Sequence, residues 1–508
     1  MNQTATISDP KFPRWNWVWM KSKYFYASLV GAIGGLLCPV LAAVSPYLAI
    51  GAVLGLGAAY LSVAYPVFSV LMTALVVPVE RLGRFSNDSQ AITISLMRLF
   101  GMLGLMSLAL NWILKKRKIQ IYKPVALYGL FILYCFISLS WGTDEQKGLS
   151  SAITMLGNFL FLILVTNVIR NKDQLKLPII LWLFTTVGIG LFTIYQWQDP
   201  SAIATEDRFK NSGEMTTDQR FTTVMMDYAE FEQIGAVKRA IGATSHPAVY
   251  GINIILTIPF FIYLIRSSRS WLTIGLCIVG LGVSAYNAML TNTRAVMLTL
   301  AFSIIVAAII GLVRIRPVTI FAGVFLGIAM IPFIPESLYN RIFDVSNYST
   351  EKAHALRVRF TYWETGVDIF QDNWLLGLGV GNQVELVKRL EHKMHMPANT
   401  SIHNEFLQSL IESGLLGYPL IVGFMVMAYR RSRLAENYFK SIGDQPTEFF
   451  LKAARVNYIV LLFYALQCDV LHFTIKGWWL TMAICISLSE IALLSIRSQQ
   501  NLQGNENV

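Results

Sequence analysis

The sequence has 508 residues, of which 55% are hydrophobic and only 14% are charged, and its mean hydropathy is +0.52. Soluble proteins carry about 25% charged residues, so this composition excludes an ordinary soluble protein. Apolar runs of roughly 18 to 25 residues, each long enough for a helix to cross a bilayer, recur along the chain. The sequence therefore predicts an all-α polytopic membrane protein.

The apolar runs predict about fourteen transmembrane helices, with twelve as the lower bound. The lower number of helices allows for the stretch 45–80, where only Pro46 and Pro66 separate three apolar segments. We read the first apolar run as an uncleaved span, because no processing site follows it. The predicted spans are 26–44, 47–65, 66–80, 92–114, 124–142, 148–170, 177–198, 248–267, 271–290, 293–313, 317–335, 408–430, 454–473 and 477–496.

The distribution of Lys and Arg predicts the topology, because basic residues favour cytoplasmic loops. A cytoplasmic N-terminus makes four basic segments cytoplasmic, at 115–118, 170–176, 266–270 and 430–433. The net charge of +11 is then a consequence of topology and does not indicate a nucleic-acid partner. The predicted regions are a cytoplasmic N-terminus (1–25), a transmembrane bundle (26–335) with an external loop (199–247), a large external loop (336–401), further transmembrane helices (402–496) and a cytoplasmic tail (497–508).

The large external loop between the eleventh and twelfth spans contains two predicted helices. The first is amphipathic, and its apolar positions at helical spacing predict that it lies on the membrane or caps the bundle. The second covers about 383–395 and ends before Pro397. The apolar positions of the first helix are Leu356, Phe360, Trp363, Val367 and Phe370.

Gly377, Gly379 and Gly381 lie between these two helices in a Gly-x-Gly-x-Gly pattern. A nucleotide-binding interpretation would need a strand before the pattern and a helix after it in a βαβ unit. That context is absent, so the pattern predicts a tight glycine turn.

His403 is the principal candidate for chemistry. We expect Thr400 or Ser401 to cap a helix that continues into the span at 408–430, with His403 in its first turn. The positive end of the helix dipole would then favour the neutral imidazole, which can accept a proton from a hydroxyl. The alternative is a histidine that only hydrogen-bonds at an interface. Gly414 and Gly417 on the same helix predict close helix packing.

Several arginines are candidates for binding phosphate, because a guanidinium donates two parallel hydrogen bonds to phosphate oxygens. Arg294 lies at the external start of a span, and Arg98 lies about one and a half turns inside another. Arg239 precedes a span, whereas Arg357 and Arg359 lie on the amphipathic helix. The alternative roles are contact with lipid headgroups and ion pairing.

Acidic residues near these positions have open roles. Glu405 and Glu412 follow His403 and Asn404 on the same helix, and Asp469 lies near the end of a later span. Each can orient the histidine or an arginine, and structural pairing is the alternative. No Asp-x-Asp motif or paired His/carboxylate motif occurs, and the five cysteines show no metal-ligand pattern. We therefore expect a reaction without metal or cofactor, in which arginines supply the positive charge.

Together these motifs resemble the O-antigen ligase and O-antigen polymerase superfamily of membrane glycosyltransferases. The resemblance covers roughly residues 235–425, and the earlier spans contribute only hydropathy. The motifs, in chain order, are Arg239-x-x-Gly-x-x-x-His-Pro, Thr291-Asn-Thr-Arg294, Arg359-x-x-x-Trp363, Gly377-Leu-Gly-Val-Gly and His403-Asn404-x9-Gly414-x-x-Gly417.

The resemblance implies an inverting glycosyltransferase in the bacterial inner membrane with its active site facing the periplasm. The donor would be an oligosaccharide linked to undecaprenyl pyrophosphate, and the acceptor a lipid-linked repeat or lipid A–core. His403 would activate the acceptor hydroxyl. Arg294, helped by some of Arg98, Arg239 and Arg359, would hold the pyrophosphate, and a chain-length regulator is a possible partner.

The sequence leaves four activities open. A polymerase of O-antigen or exopolysaccharide repeats is favoured by the chain length and the number of predicted spans, because ligases of the family have about twelve. The alternatives within the family are an O-antigen ligase that transfers the glycan to lipid A–core and an enzyme that glycosylates proteins. A polysaccharide-lipid transporter or flippase is a different class, but its internal repeats and helices broken at mid-membrane are not evident here.

Overall fold

A computed structural model of the chain describes residues 46–79, 95–115, 118–198, 226–229, 237–244, 246–314, 351–382, 384–394, 402–468 and 475–506. These parts contain fifteen α-helices and two short strands. The first helices are α1 (Pro46–Ala64), α2 (Pro66–Val76), α3 (Leu96–Lys115), α4 (Lys123–Ser138), α5 (Glu145–Val168) and α6 (Lys176–Gln198). After the strands β1 (Met226–Ala229) and β2 (Val237–Ala240) come α7 (Pro247–Ile255), α8 (Ile258–Ser267), α9 (Trp271–Leu290) and α10 (Arg294–Ile309). The last are α11 (Glu351–Asp372), α12 (Val384–Met394), α13 (Glu405–Ser441), α14 (Gln445–Ala465) and α15 (Lys476–Glu506).

The helical bundle confirms a polytopic membrane protein. Within the described residues, seven helical segments are long and apolar enough to cross a bilayer, and four shorter apolar helices accompany them. The predicted spans 26–44 and 317–335 lie outside the described residues, so the count of fourteen stays a prediction. The seven segments are Leu96–Leu114, Glu145–Val168, Lys176–Gln198, Pro247–Ser267, Trp271–Leu290, Glu405–Ser441 and Lys476–Ser498.

The two strands are an addition to the all-α prediction. β1 and β2 pair antiparallel, and Asp227 lies opposite Arg239 in the register. They belong to the polar loop predicted at 199–247, where hydropathy gives no signal for a short ladder.

The two ends of the bundle differ in chemistry. Short connections make consecutive helices run antiparallel, so the connections after α3, α5 and α8 lie at one end with the C-terminal part of α13. We call this the basic end, because it contains the basic segments predicted to be cytoplasmic. Its contacts include the backbone N–H of Gln120 with Asn167 (2.8 Å), Lys172 with Asp444 (2.8 Å), and Arg266 with the carbonyl of Leu312 (2.6 Å).

Helix α13 lies at the centre of the bundle, where it packs on α4, α14 and α15. Three aromatic rings fill the junction between α4, α13 and α15. The ring centroid of Tyr128 is 4.9 Å from that of Phe424 and 5.0 Å from that of Trp479. All three side chains are buried, so the position of α13 is determined by close contact on several sides.

Helix α13 is broken at Gly414, whose φ of 57° and ψ of −168° are not helical. A loop at residues 373–382, which we call the glycine loop, makes the hydrogen bonds that the helix loses there. The N–H groups of Leu415 and Leu416 donate to the carbonyls of Trp374 (2.8 Å) and Leu375 (3.2 Å). In return, the carbonyls of Ile411 and Glu412 accept from the N–H groups of Leu378 (2.9 Å) and Gly379 (3.0 Å).

Glycine is required where the loop meets the break. Gly377 has φ +71°, and a Cβ on it would lie 2.5 Å from the carbonyl oxygen of Glu412. Gly379 and Gly381 also have positive φ, so the predicted glycine turn is confirmed. A Cβ on Gly417 would lie 2.5 Å from the Tyr134 ring, which confirms close packing there. Gly414 is different, because its close neighbour is the loop backbone and not a second helix.

Replacing Gly377 tests the contact between loop and helix. Gly377→Ala forces a Cβ into the backbone of Glu412, and we expect a loss of several kcal/mol in stability, since backbone strain costs about 1–2 kcal/mol and overpacking adds about 1–3 kcal/mol. Gly443→Ala is the matched control, because Gly443 has φ +74° and no atom within 4 Å of the added Cβ. The measurement is Tm in detergent, and equal decreases in Tm for the two variants would contradict the contact.

Candidate active site

His403 lies immediately before the cap of α13, and not in its first turn. The helix begins at Glu405, and the Asn404 side chain accepts hydrogen bonds from the N–H groups of Phe406 (3.1 Å) and Leu407 (3.2 Å). The prediction of a helix starting at Thr400 or Ser401, both outside the described residues, is therefore wrong. The dipole acts mainly within the first turn, and His403 lies outside that turn.

His403 and Asn292 have the same unusual backbone. Their φ angles are 55° and 48°, and among the described residues they are the non-glycine positions with positive φ. Each directly precedes a helix cap, Asn404 for α13 and Thr293 for α10. Such a conformation costs roughly 1–3 kcal/mol and clusters at functional sites. Both residues belong to motifs singled out in the sequence.

Helix α11 holds the His403 segment from one side. The Tyr362 ring stacks parallel to the imidazole, with 6.5 Å between ring centroids and 3° between planes. The next residue, Trp363, donates from its indole nitrogen to the carbonyl of Ile402 (3.2 Å). The structure thus brings the Arg359-x-x-x-Trp363 motif against the His-Asn motif.

Arg359 lies on α11 within electrostatic range of α14. Its side chain is half-buried and interacts electrostatically with Tyr464. The Tyr464 hydroxyl donates to the carbonyl of Ala248 (2.9 Å), at the start of α7. His246 caps this helix, because its Nδ1 accepts from the Ala248 N–H (3.1 Å). The His-Pro end of the Arg239 motif therefore lies beside Tyr464 of α14.

Arg239 itself lies on β2, eight residues before the start of α7 at Pro247. Its side chain is half-buried. The loop that follows packs tightly, since a Cβ on Gly242 would lie 2.2 Å from the Tyr250 ring. The Tyr250 hydroxyl in turn donates to Asn287 (2.9 Å) on α9. These contacts place Arg239 at the end of the bundle opposite the basic end.

Arg294 is the first residue of α10, and its side chain is exposed. The cap residue Thr293 makes no side-chain hydrogen bond to the helix. Helix α10 packs closely on α7, because a Cβ on Gly251 would lie 2.4 Å from Val296. Arg294 therefore lies at the same end as His246 and beside an uncapped helix start.

The structure gives less detail for the remaining candidates, which are Arg98, Arg357 and Asp469. Arg98 is half-buried in the first turn of α3, where its N–H donates to Ser95 (3.3 Å). The prediction that it lies one and a half turns inside a span is wrong for the described helix, which begins at Leu96. Arg357 lies on α11, but the structure does not describe its side chain. Asp469 lies outside the described residues.

The two acids of α13 are deeply buried, with 1% of Glu405 and 3% of Glu412 exposed. Ser409 donates to Glu405 (2.9 Å), and the Gln408 amide donates to Glu412. Ionisable groups at membrane depth are costly and usually functional. Their proposed orientation of the histidine or an arginine stays a prediction.

Sequence reasoning missed two residues of this region. Tyr362 adjoins a motif residue but lies off the apolar stripe that periodicity selected. Lys476 is the first residue of α15, and its ammonium donates to the buried Asn158. A cation at a helix start is disfavoured by the dipole, which is the signal that could have drawn attention to it.

No group of three or more His, Cys, Asp or Glu side chains is placed to hold a metal ion within the parts of the chain that the structure describes. Metal independence stays a prediction.

Part of the chain is similar to a known family. Residues 279–422 match the family model described as O-antigen ligase, and this match supports the predicted resemblance to the O-antigen ligase and polymerase superfamily, which is glycosyltransferase-like. This region contains Arg294, Arg359 and the whole His-Asn motif, whereas Arg98, Arg239 and Asp469 lie outside it. No curated protein matches the chain.

The cap of α13 can be tested by hydrogen–deuterium exchange. Asn404→Ala removes the acceptor for two N–H groups and costs about 1 kcal/mol, so we expect faster exchange in a peptide covering 402–410. Asn404→Asp keeps an oxygen acceptor and is the control. Unchanged exchange in Asn404→Ala would contradict the assigned cap.

Proposed function

We propose that this protein is an inverting, metal-independent glycosyltransferase that uses a glycan on undecaprenyl pyrophosphate as donor and polymerises surface-polysaccharide repeat units. The observation that carries the proposal is the packing of the Arg359–Trp363 helix directly on the strained His403 segment. In a chain that resembles a glycosyltransferase-like family, this packing supports a role for His403 as base and for Arg359 as a nearby cation.

The proposed topology puts this end in the periplasm of the inner membrane. The basic end lies opposite, which supports cytoplasmic location of both termini by the positive-inside rule. The loops at 199–247 and 336–401 would then be periplasmic, with the donor lipid held in the surrounding leaflet.

His403 is the proposed general base. The acceptor hydroxyl attacks the anomeric carbon of the donor, and its proton passes to the imidazole. The bond from the anomeric carbon to the phosphate oxygen breaks, and the pyrophosphate leaves with the electron pair. Attack opposite the leaving group inverts the configuration. Stacking on Tyr362 supports this role because it holds the imidazole in one orientation.

Arg294 is the proposed principal ligand of the leaving pyrophosphate, with Arg359, Arg239, Arg98 and Arg357 as supporting candidates. Its side chain is exposed beside a helix start whose N–H groups lack a side-chain cap. Helix N-termini and guanidinium groups both favour anions. Charge that develops on the leaving group can thus be stabilised without a metal.

Polymerisation of O-antigen or exopolysaccharide repeats is favoured by the chain length and the predicted spans. An O-antigen ligase that transfers to lipid A–core is the second candidate, favoured by the description of the matching family model. A polymerase would accept a second lipid-linked repeat and would work with a chain-length regulator. A transporter or flippase is the third reading, and it predicts no covalent product.

The role of His403 predicts a large effect of its removal. A general base contributes about 10²- to 10⁴-fold to rate, so His403→Ala should lower the rate of polysaccharide formation by that factor while expression and membrane insertion stay normal. His392→Ala is the control, because His392 is exposed on α12. A fully active His403→Ala variant would remove the catalytic role.

The role of Arg294 predicts a graded series. Arg294→Gln should lower turnover by about 10²- to 10³-fold, as for loss of one group that stabilises transition-state charge. Arg294→Lys keeps the charge but loses the planar fork, so its defect should be smaller. Turnover and KM for the lipid-linked donor are measured for both, with Arg269→Gln at the exposed basic end as control. Equal turnover in Arg294→Gln and Arg269→Gln would contradict the assignment.

A further inference from the structure

An uncovered apolar surface runs along α11 and into the glycine loop. Phe360 and Val367 lie two turns apart on α11 and are 62% and 44% exposed. Trp374, Leu375 and Leu376 follow the helix directly, and Trp374 is 52% exposed. The sequence predicted these α11 positions as an apolar face, but their side chains do not pack on the bundle.

The buried face of α11 is a different one. Tyr362 and Ile369 are buried in a cluster with Leu386, Leu390 and Ile411. On the polar side, two ion pairs join α11 to α12. Two acids one turn apart on α11 face two bases one turn apart on α12. The pairs are Asp372 with Arg389 (2.7 Å) and Asp368 with Lys393 (2.8 Å). Other parts of the protein therefore cover two sides of α11, and the exposed apolar surface forms the third side.

This apolar surface is continuous with the outside of a membrane-spanning helix. The carbonyls of Trp374 and Leu375 accept from Leu415 and Leu416 of α13. Leu415 and Leu416 are themselves exposed and belong to a segment long and apolar enough to span. Lipid that surrounds α13 at Leu415 and Leu416 therefore also contacts Trp374 and Leu375, which are hydrogen-bonded to them.

The depth of this contact follows from helix geometry. Arg430 is exposed and begins the basic segment at the basic end, so we take it as the edge of the apolar layer there. Leu415 precedes it by fifteen residues, or about 22 Å at 1.5 Å per residue. The apolar layer is about 30 Å thick, so Trp374–Leu376 lie about 8 Å inside its opposite edge.

We infer that α11 and the start of the glycine loop form a membrane-surface anchor, in which Phe360, Val367 and Trp374–Leu376 insert into the leaflet at the active-site end. A helix with one apolar side is suited to lie in the interfacial plane, and tryptophan favours the interface. The occupant of the surface is lipid, and not a second copy of the chain.

The anchor also sets the depth of His403. Tyr362 stacks on the imidazole and Trp363 bonds to Ile402, so the segment moves with α11. The consequence for catalysis, unlike the anchor itself, rests on the proposed function. The anchor keeps the base near the headgroup level, where the pyrophosphate of a lipid-linked donor lies.

Photocrosslinking to lipid tests the anchor without any glycan substrate. The full-length chain carries p-benzoylphenylalanine in place of Phe360 or, separately, Trp374, so that an aromatic side chain replaces another. Each variant is placed in nanodiscs of phosphatidylethanolamine and phosphatidylglycerol, irradiated and analysed by mass spectrometry for lipid adducts. The control carries the same group in place of His392, which is exposed on α12.

We expect lipid adducts at Phe360 and Trp374 in at least tenfold higher yield than at His392. Equal yields at the three positions, or crosslinks from Phe360 and Trp374 to a second copy of the chain, would overturn the anchor. The Tm of each variant is compared with that of the unsubstituted protein. If a variant fails to fold, p-benzoylphenylalanine is placed at Val367 instead. The result is independent of the proposed function, since an inactive protein would still crosslink to lipid.

Discussion

Four backbone hydrogen bonds between the glycine loop and the broken helix α13 hold together the end of the protein that contains the candidate active site. A helix break inside a membrane is costly unless other groups bond the freed N–H and carbonyl groups. Here the loop supplies two acceptors and two donors at once. The first turns of α13 can therefore take a direction different from the rest of the helix while these four backbone groups stay hydrogen-bonded.

The same loop fixes the surrounding elements. The hydroxyl of Tyr134 on α4 donates to the carbonyl of Leu376 (2.7 Å), and Ser138 accepts from the N–H of Val380 (3.1 Å). Because the loop also continues directly from α11, it ties the helix that packs on His403 to the centre of the bundle. The strained backbone of His403 is thus supported on both sides, by α11 and by the Asn404 cap.

Much of this architecture follows from the sequence, and the exceptions have physical reasons. Hydropathy identifies the seven long apolar segments that the structure describes, and the Gly-x-Gly-x-Gly spacing predicts the turn. The break at Gly414 is not predictable from the same pattern, because a glycine that allows close packing and one that ends a helix look alike in sequence. Periodicity found the apolar face of α11, but composition does not tell whether lipid or protein covers it. The start of α13 was misplaced because Thr400, Ser401 and Asn404 are all good caps.

The most direct test of the account is product analysis with the purified protein and its cognate undecaprenyl-pyrophosphate repeat unit as the only substrate. The account predicts a ladder of longer lipid-linked glycans, which requires transfer from one lipid pyrophosphate to a second repeat. A single transfer that occurs only after lipid A–core is added would identify a ligase instead. No covalent product with either acceptor would contradict the glycosyltransferase and favour a transporter.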